Sequence, residues 1–155
     1  MPRALHTELK SARPFDLLEE EAHLSIVRTA AQLEHAIAQM LKPYGLTPTQ
    51  YNVLRILRGA GPGGLCRNEV GERLLRQVPD VTRLLDRMTE LRLIGRQRSD
   101  ADRRLVRTHI TPQGLEVLAA LDEPIREFHR QALQHIPQPK LRGLVKILED
   151  VRQAD

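Results

Sequence analysis

Eleven arginines stand between residues 67 and 107: Arg67, Arg73, Arg76, Arg83, Arg87, Arg92, Arg96, Arg98, Arg103, Arg104 and Arg107. Seven acids share that stretch, which leaves it at +4. Residues 1–66 hold seven bases against six acids, and residues 108–155 hold six against seven. All four lysines lie outside the arginine block. The choice of cation has chemical content. A guanidinium is a planar fork that meets a phosphate or a guanine edge with two parallel hydrogen bonds, whereas a lysine is a point charge. Such a block suits a polyanion, and nucleic acid first. The plainer alternative is a solvated surface in which Arg83 and Arg87 pair with Asp86 and Glu90 along one helix.

Other reactive side chains give less. Asp100 and Asp102 form a carboxylate pair, but they sit beside Arg103 in a charged tip where no dry pocket raises a pKa. No Ser-His-Asp arrangement, phosphate loop or dinucleotide glycine pattern occurs, so no enzyme is expected. Cys66 is alone, which excludes an internal disulfide and a cysteine zinc site and fits a reducing cytosol. It neighbours Arg67 near a helix start, where a thiol can be activated; its alternative is a small buried hydrophobe. The six histidines show no i, i+4 ligand pair, and neither metal nor cofactor is expected.

The frame must come from aliphatic residues. The chain has 155 residues, 41% of them hydrophobic but only 3% aromatic, with no Trp. That length fits one domain or one compact dimerising unit. The apolar runs are too short for a membrane span. The acidic first 25 residues argue against a secretory signal, so a cytoplasmic protein is expected.

Residues 1–14 read as a flexible arm bearing Pro2 and Pro14. A helix is predicted over 15–41, ended by Lys42-Pro43-Tyr44-Gly45. Thr47-Pro48 opens the next, with a threonine cap and a proline that needs no N–H. Gly59, Gly61, Pro62, Gly63 and Gly64 break the chain. A short helix over 67–75 and another over 79–91 follow, the second with Val81, Leu84, Leu85, Met88 and Leu91 on one stripe. Period two then marks a two-stranded hairpin over 94–98 and 105–110 with a charged tip. Thr111-Pro112 starts a helix that Pro124 should kink or interrupt. A last helix carries Leu141, Leu144, Val145, Leu148 and Val151 on one face, too apolar to stand alone. The fold class is mainly α: a winged helix-turn-helix with a small two-stranded wing and a helical dimerisation region. Residues 46–111 form the first part, and 15–45 with 112–155 form the second.

The stretches LTPTQYNVLRIL (46–57), RNEVGERLL (67–75) and VTRLLDRMTELRLIGRQRSDADRRLVRTHITPQGLEVLAAL (81–121) resemble the MarR transcription regulators. The wing tip combined with ITPQG is the most specific part. The resemblance covers about 75 residues closely. It implies an obligate homodimer, more expectedly a repressor than an activator, on a palindromic operator in double-stranded DNA. Thr82 and Arg83 match the recognition-helix pair facing the groove, and Arg87 matches the next turn. Asp102 and Arg104 match the wing acid and the wing arginine of the minor groove, with Arg103 between them. Val78-Pro79-Asp80 departs from the family pattern, since the usual serine cap is missing. Asp80 is expected either to stabilise the positive helix end or to accept a hydrogen bond from cytosine. Asp102 is expected to close its turn and to orient a neighbouring arginine by an ion pair.

The family typically binds small lipophilic or phenolic effectors between the dimer helices and the DNA-binding lobe. Here the first helix, the 48–58 helix and the helix after Thr111 would line that cleft, with His35, Met40 and Tyr44 contributing. The alternative function is a winged-helix protein-interaction module that uses its arginines on an acidic partner.

Overall fold

The computed structural model describes residues 4–153. In chain order the elements are α1 (Leu5–Glu8), α2 (Leu18–Leu41), α3 (Pro48–Ala60), β1 (Leu65–Cys66), α4 (Arg67–Arg73), α5 (Val81–Glu90), β2 (Ile94–Arg98), β3 (Val106–Ile110), α6 (Pro112–Leu133) and α7 (Gln138–Gln153). Within the arm expected over 1–14, α1 forms a single turn with Leu5 buried, so that stretch is not wholly without structure. Residues 1–3 of the arm lie outside the described residues.

Local chemistry sets the helix starts. Thr47 Oγ1 accepts from the Gln50 N–H at 3.2 Å, and the Thr47 N–H donates to Gln50 Oε1 at 3.0 Å. This reciprocal box satisfies two donors that the first turn of α3 leaves free. Thr111 repeats the cap, accepting from the Gly114 N–H at 3.1 Å. Pro43 does not stop α2 abruptly. Lys42 keeps right-handed helical angles, the chain tightens into a 3-10 turn over Lys42–Tyr44, and Gly45 at φ 68° ends it.

Pro124 does not interrupt α6 either, which runs on to Leu133. Pro124 and Ala120, whose carbonyl loses its helical donor, both lie on the exposed side, where water can take that carbonyl.

The core is aliphatic and centres on α3. Val53, Leu54 and Leu57 are fully buried, joined by Leu41 of α2, Val70 of α4, Leu85 and Met88 of α5, and Leu118 and Leu121 of α6. An ion pair closes the outer edge of this packing: Arg58 donates to both carboxylate oxygens of Asp122, each at 2.8 Å, tying α3 to α6.

The sheet has three strands where the sequence predicts two. β2 and β3 pair antiparallel, Ile94 opposite Ile110 and Arg98 opposite Val106. The third strand, β1, pairs with the other edge of β3, Leu65 opposite Thr108. Gly64 makes this approach possible: at φ +62°, a Cβ there would overlap the Thr108 carbonyl oxygen. Gly114 performs the same service one element later. A Cβ on it would overlap the Leu93 carbonyl oxygen and come within 2.8 Å of Ile110 Cγ1.

α7 packs differently, with none of its residues buried. Leu144, Val145, Ile147 and Val151 are exposed on it, as are Leu17, Leu18, Ile26 and Val27 at or near the N-terminal half of α2.

Two outcomes follow for stability. Gly114→Ala should cost about 1–3 kcal/mol by overpacking, read as a fall of several degrees in Tm. The hydrogen bonds from Arg58 hold the Asp122 carboxyl below the usual carboxylate range. Its stabilisation is therefore present above the unfolded carboxyl value and is lost as pH falls through the lowered native one. Chemical denaturation across acid pH should show this loss in the wild type and a flatter profile in Asp122→Asn.

Candidate nucleic-acid interface

α5 begins at Val81, two residues later than the sequence predicts. Asp80 is its N-cap, with Oδ1 accepting from the Arg83 N–H at 2.9 Å. Pro79 therefore stands outside the helix. The carboxylate is committed to the helix end, the first of the two roles expected for it. The inner stripe of α5 is as predicted, with Leu85 and Met88 buried and Val81, Leu84 and Leu91 packed against the core. Thr82, Arg83, Asp86, Arg87 and Glu90 are exposed. The helix thus presents one polar side to solvent, starting at its N-terminal turn.

The ion pairs on this side sort the arginines. Arg87 pairs with Glu90 at 3.1 Å, along the same helix. Asp86 pairs with Arg96 of β2 at 2.7 Å, not with Arg83, and so links the helix to the wing. Among the described residues, the Arg83 side chain forms no ion pair or hydrogen bond. Arg107 donates to the Gly63 and Gly64 carbonyls at 3.3 and 3.0 Å and fastens β3 to the glycine loop. Arg96 and Arg107 are therefore structural members of the arginine block.

At the wing tip, Asp102 Oδ1 accepts from the Arg104 backbone N–H at 2.9 Å, and the Asp102 carbonyl accepts from the Leu105 N–H at 2.9 Å. The expected ion pair from Asp102 to a neighbouring guanidinium does not form. The carboxylate closes the turn instead, and the Arg103 and Arg104 side chains stand exposed beside it. A crevice of about 380 Å³ separates α5 from the wing, with Arg67, Thr82, Arg96, Arg104 and Cys66 on its walls.

Cys66 is half-buried and precedes the first residue of α4. Its N–H donates to Glu69 Oε2 at 2.8 Å. Hydrogen bonds from Cys66, side chain and then backbone, hold the Glu69 carboxyl below its ordinary range, with Arg107 and Arg73 adding Coulombic attraction. The position does the work of a helix cap.

A second cleft, of about 400 Å³, lies where α2, α3 and α6 meet the link between α4 and α5. Leu33, Ile37, Tyr51, Leu75 and His129 line its apolar part, and the Glu34–Arg76 ion pair crosses its edge. The three elements expected to enclose a cleft do so, but His35, Met40 and Tyr44 are absent from its lining. The reason is helical phase. Ala30, Leu33 and Ile37 share a face of α2, and His35 falls about 200° around the axis from Leu33 at 3.6 residues per turn. Met40 packs against the core, and Tyr44 is exposed in the 3-10 turn. Tyr51 and His129 are the residues that sequence reasoning missed. Buried Tyr51 sits one turn into α3, where it reads as core from the sequence alone.

Comparison with known proteins agrees with this arrangement. The sequence pattern of the MarR family matches residues 44–105. The HTH-type transcriptional regulator YkoM of Bacillus subtilis is 31% identical over 109 residues, which cover 67% of this chain and 69% of that protein. A MarR transcription factor of Planctomyces limnophilus is 34% identical, with a TM-score of 0.66 over 88% of this chain and 98% of that one. The transcriptional repressor CouR, solved bound to a 23-mer DNA duplex, is 25% identical with a TM-score of 0.76, over 92% of this chain and all of that one. A helix with one solvated polar side, an arginine-bearing wing and these likenesses converge: the chain belongs to the MarR family of DNA-binding transcription regulators, and not to a class of enzymes.

Proposed function

We propose that this regulator is a homodimeric repressor. It binds a palindromic operator and leaves it when a small lipophilic or phenolic effector enters the cleft below α2. The observation that carries the DNA-reading part is the exposed side of α5 with Thr82, Arg83 and Arg87, where Thr82 shares a crevice with Arg104 of the wing tip, which also carries Arg103. A major groove accepts a helix of this kind, and the narrower minor groove beside it accepts an arginine. Asp102 acts by shaping the tip. The repressor assignment draws on CouR and on the repressors IacR of Pseudomonas putida and MdtR of Bacillus subtilis, which are 23% and 29% identical to this chain.

Dimerisation is supported by the exposed leucines, isoleucines and valines of α7 and of the N-terminal half of α2. Apolar surface of that extent needs a cover, and a second copy supplies one with matching chemistry. Residues 15–45 and 112–155 are thus assigned to dimerisation and 46–111 to DNA. Two α5 helices would then enter successive major grooves about 34–36 Å apart. A ligand wedged between α2, α3 and the α4–α5 link would alter that spacing, and a coupling of about 1–3 kcal/mol suffices for release.

Two measurements test this reading. Fluorescence anisotropy on the duplex that the protein selects from a random pool should show Arg104→Ala lowering affinity for all sequences and flattening the salt dependence by about one phosphate per protomer. Arg83→Ala should instead lower the ratio of selected to random duplex affinity, by a factor equivalent to about 1–3 kcal/mol. Unchanged operator binding in both variants would exclude this face. Light scattering should give the mass of two chains, and a Leu144→Glu, Val151→Glu double variant should give one chain with weakened operator binding. Binding to an acidic protein but to no duplex at low salt would return the role to protein interaction.

A further inference from the structure

One arginine in the crevice beside the wing has a setting unlike the others. Arg67 is the first residue of α4 and is exposed. Its Nε and Nη2 both donate to Asn68 Oδ1 at 3.3 Å, and its Nη1 donates to Thr82 Oγ1 at 3.2 Å. A guanidinium has five N–H donors. Three are engaged, which leaves one on each terminal nitrogen without a partner among the described residues. No acid neutralises it there either, since the ion pairs of this region belong to Arg76, Arg87 and Arg96. The plane is thus anchored to two neighbours while two charged donors stay free for an anion. Arg104 lines the same crevice from the wing, so a backbone phosphate lying there would meet two unneutralised guanidiniums.

The same contact sets the chemistry of Thr82. Its oxygen accepts from Arg67, and among the described residues its hydroxyl donates to no partner. Thr89 contrasts with it, donating to the Leu85 carbonyl at 2.9 Å. The Thr82 hydroxyl therefore keeps its hydrogen and a second lone pair free. In the major groove its free hydrogen can meet the N7 of a purine, the O6 of guanine or the O4 of thymine.

We infer that Arg67 is a DNA-contacting residue, which seats one backbone phosphate in the crevice and holds the Thr82 hydroxyl in position toward the bases. It joins a phosphate contact, which carries no sequence information, to a base contact that does. This rests on the DNA-reading face proposed above.

The experiment compares wild type, Arg67→Ala, Arg67→Lys, Arg67→Gln and Arg104→Ala by anisotropy on a random-sequence duplex and on the self-selected duplex, over a salt series. Arg67→Ala and Arg67→Gln should each reduce the slope of log affinity against log salt by about 0.9 per protomer. Arg67→Lys should keep that slope yet lose the preference at the base pair facing Thr82, because an ammonium cannot anchor to Asn68 and Thr82 as a planar fork does. A scan of single methylphosphonates along the selected duplex should find a position that weakens wild type and leaves Arg67→Ala unaffected. Thermal melts establish that each variant is folded, and the glutamine variant gives the answer should the alanine one melt early. An unchanged salt slope in Arg67→Ala and Arg67→Gln, with a reduced slope in Arg104→Ala, overturns the inference and leaves the DNA-reading face standing. No duplex binding by the wild type at low salt overturns both.

Discussion

Everything in this molecule hangs on the burial of α3, which leaves only a strip at Arg55 and Gly59 exposed. Its Val53, Leu54 and Leu57 have no solvent exposure, and each contributes about 1.5–3 kcal/mol by leaving water. No tryptophan is available to fill the centre, so the surrounding helices must approach closely enough for aliphatic side chains alone to close the gaps. α2, α4, α6 and β3 all pack on this one helix. That arrangement brings the wing strand β3 and the long helices α2 and α6 onto one helix. It also places the apolar cleft where Tyr51 of α3 meets Leu33 and Ile37 of α2.

Where backbone chemistry is local, the sequence reveals the structure. Thr47-Pro48 and Thr111-Pro112 each combine a side-chain acceptor with a proline that lacks the redundant donor, and both open helices where expected. The stripe from Val81 to Leu91 is legible because five apolar residues obey one helical period. At Val78-Pro79-Asp80 two start signals compete, and the aspartate prevails because its carboxylate reaches the Arg83 N–H. Pairings between distant segments leave no such mark. β1 has only two residues, and its partner Thr108 is reached through a glycine loop more than forty positions earlier, so no periodicity announces it. The Arg67–Thr82 and Arg96–Asp86 contacts are hidden for the same reason. The cleft was half legible: its walls follow from the order of the helices, but its lining depends on the rotation of α2. The face shared by Ala30, Leu33 and Ile37 marks that rotation, whereas the chemical appeal of His35 does not.

The arginine block divides by partner, and the division explains why so much charge fits in so few residues. Arg96 and Arg107 spend their donors inside the fold, on a carboxylate and on two carbonyls. They stiffen the joint between helix, wing and glycine loop. Arg83, Arg103 and Arg104 form no ion pair among the described residues, and Arg67 is anchored only by neutral oxygens. Two of these, Arg67 and Arg104, open onto the side of the crevice between α5 and the wing. A polyanion meeting that side finds less freedom to be removed from it than a block of lysines would leave.

Thr111 adds a mechanical corollary. Its hydroxyl donates to the Arg92 carbonyl at 2.7 Å and accepts from the Gly114 N–H at 3.1 Å, while its own N–H bonds the Leu93 carbonyl at 3.1 Å. One small residue thereby clamps the root of α6 to the bend between α5 and β2. A torque applied along α6 is thereby passed through Thr111 to the junction of α5 with the wing strand β2. On the DNA-reading face proposed above, helix and wing would then be displaced in step, leaving few half-engaged positions.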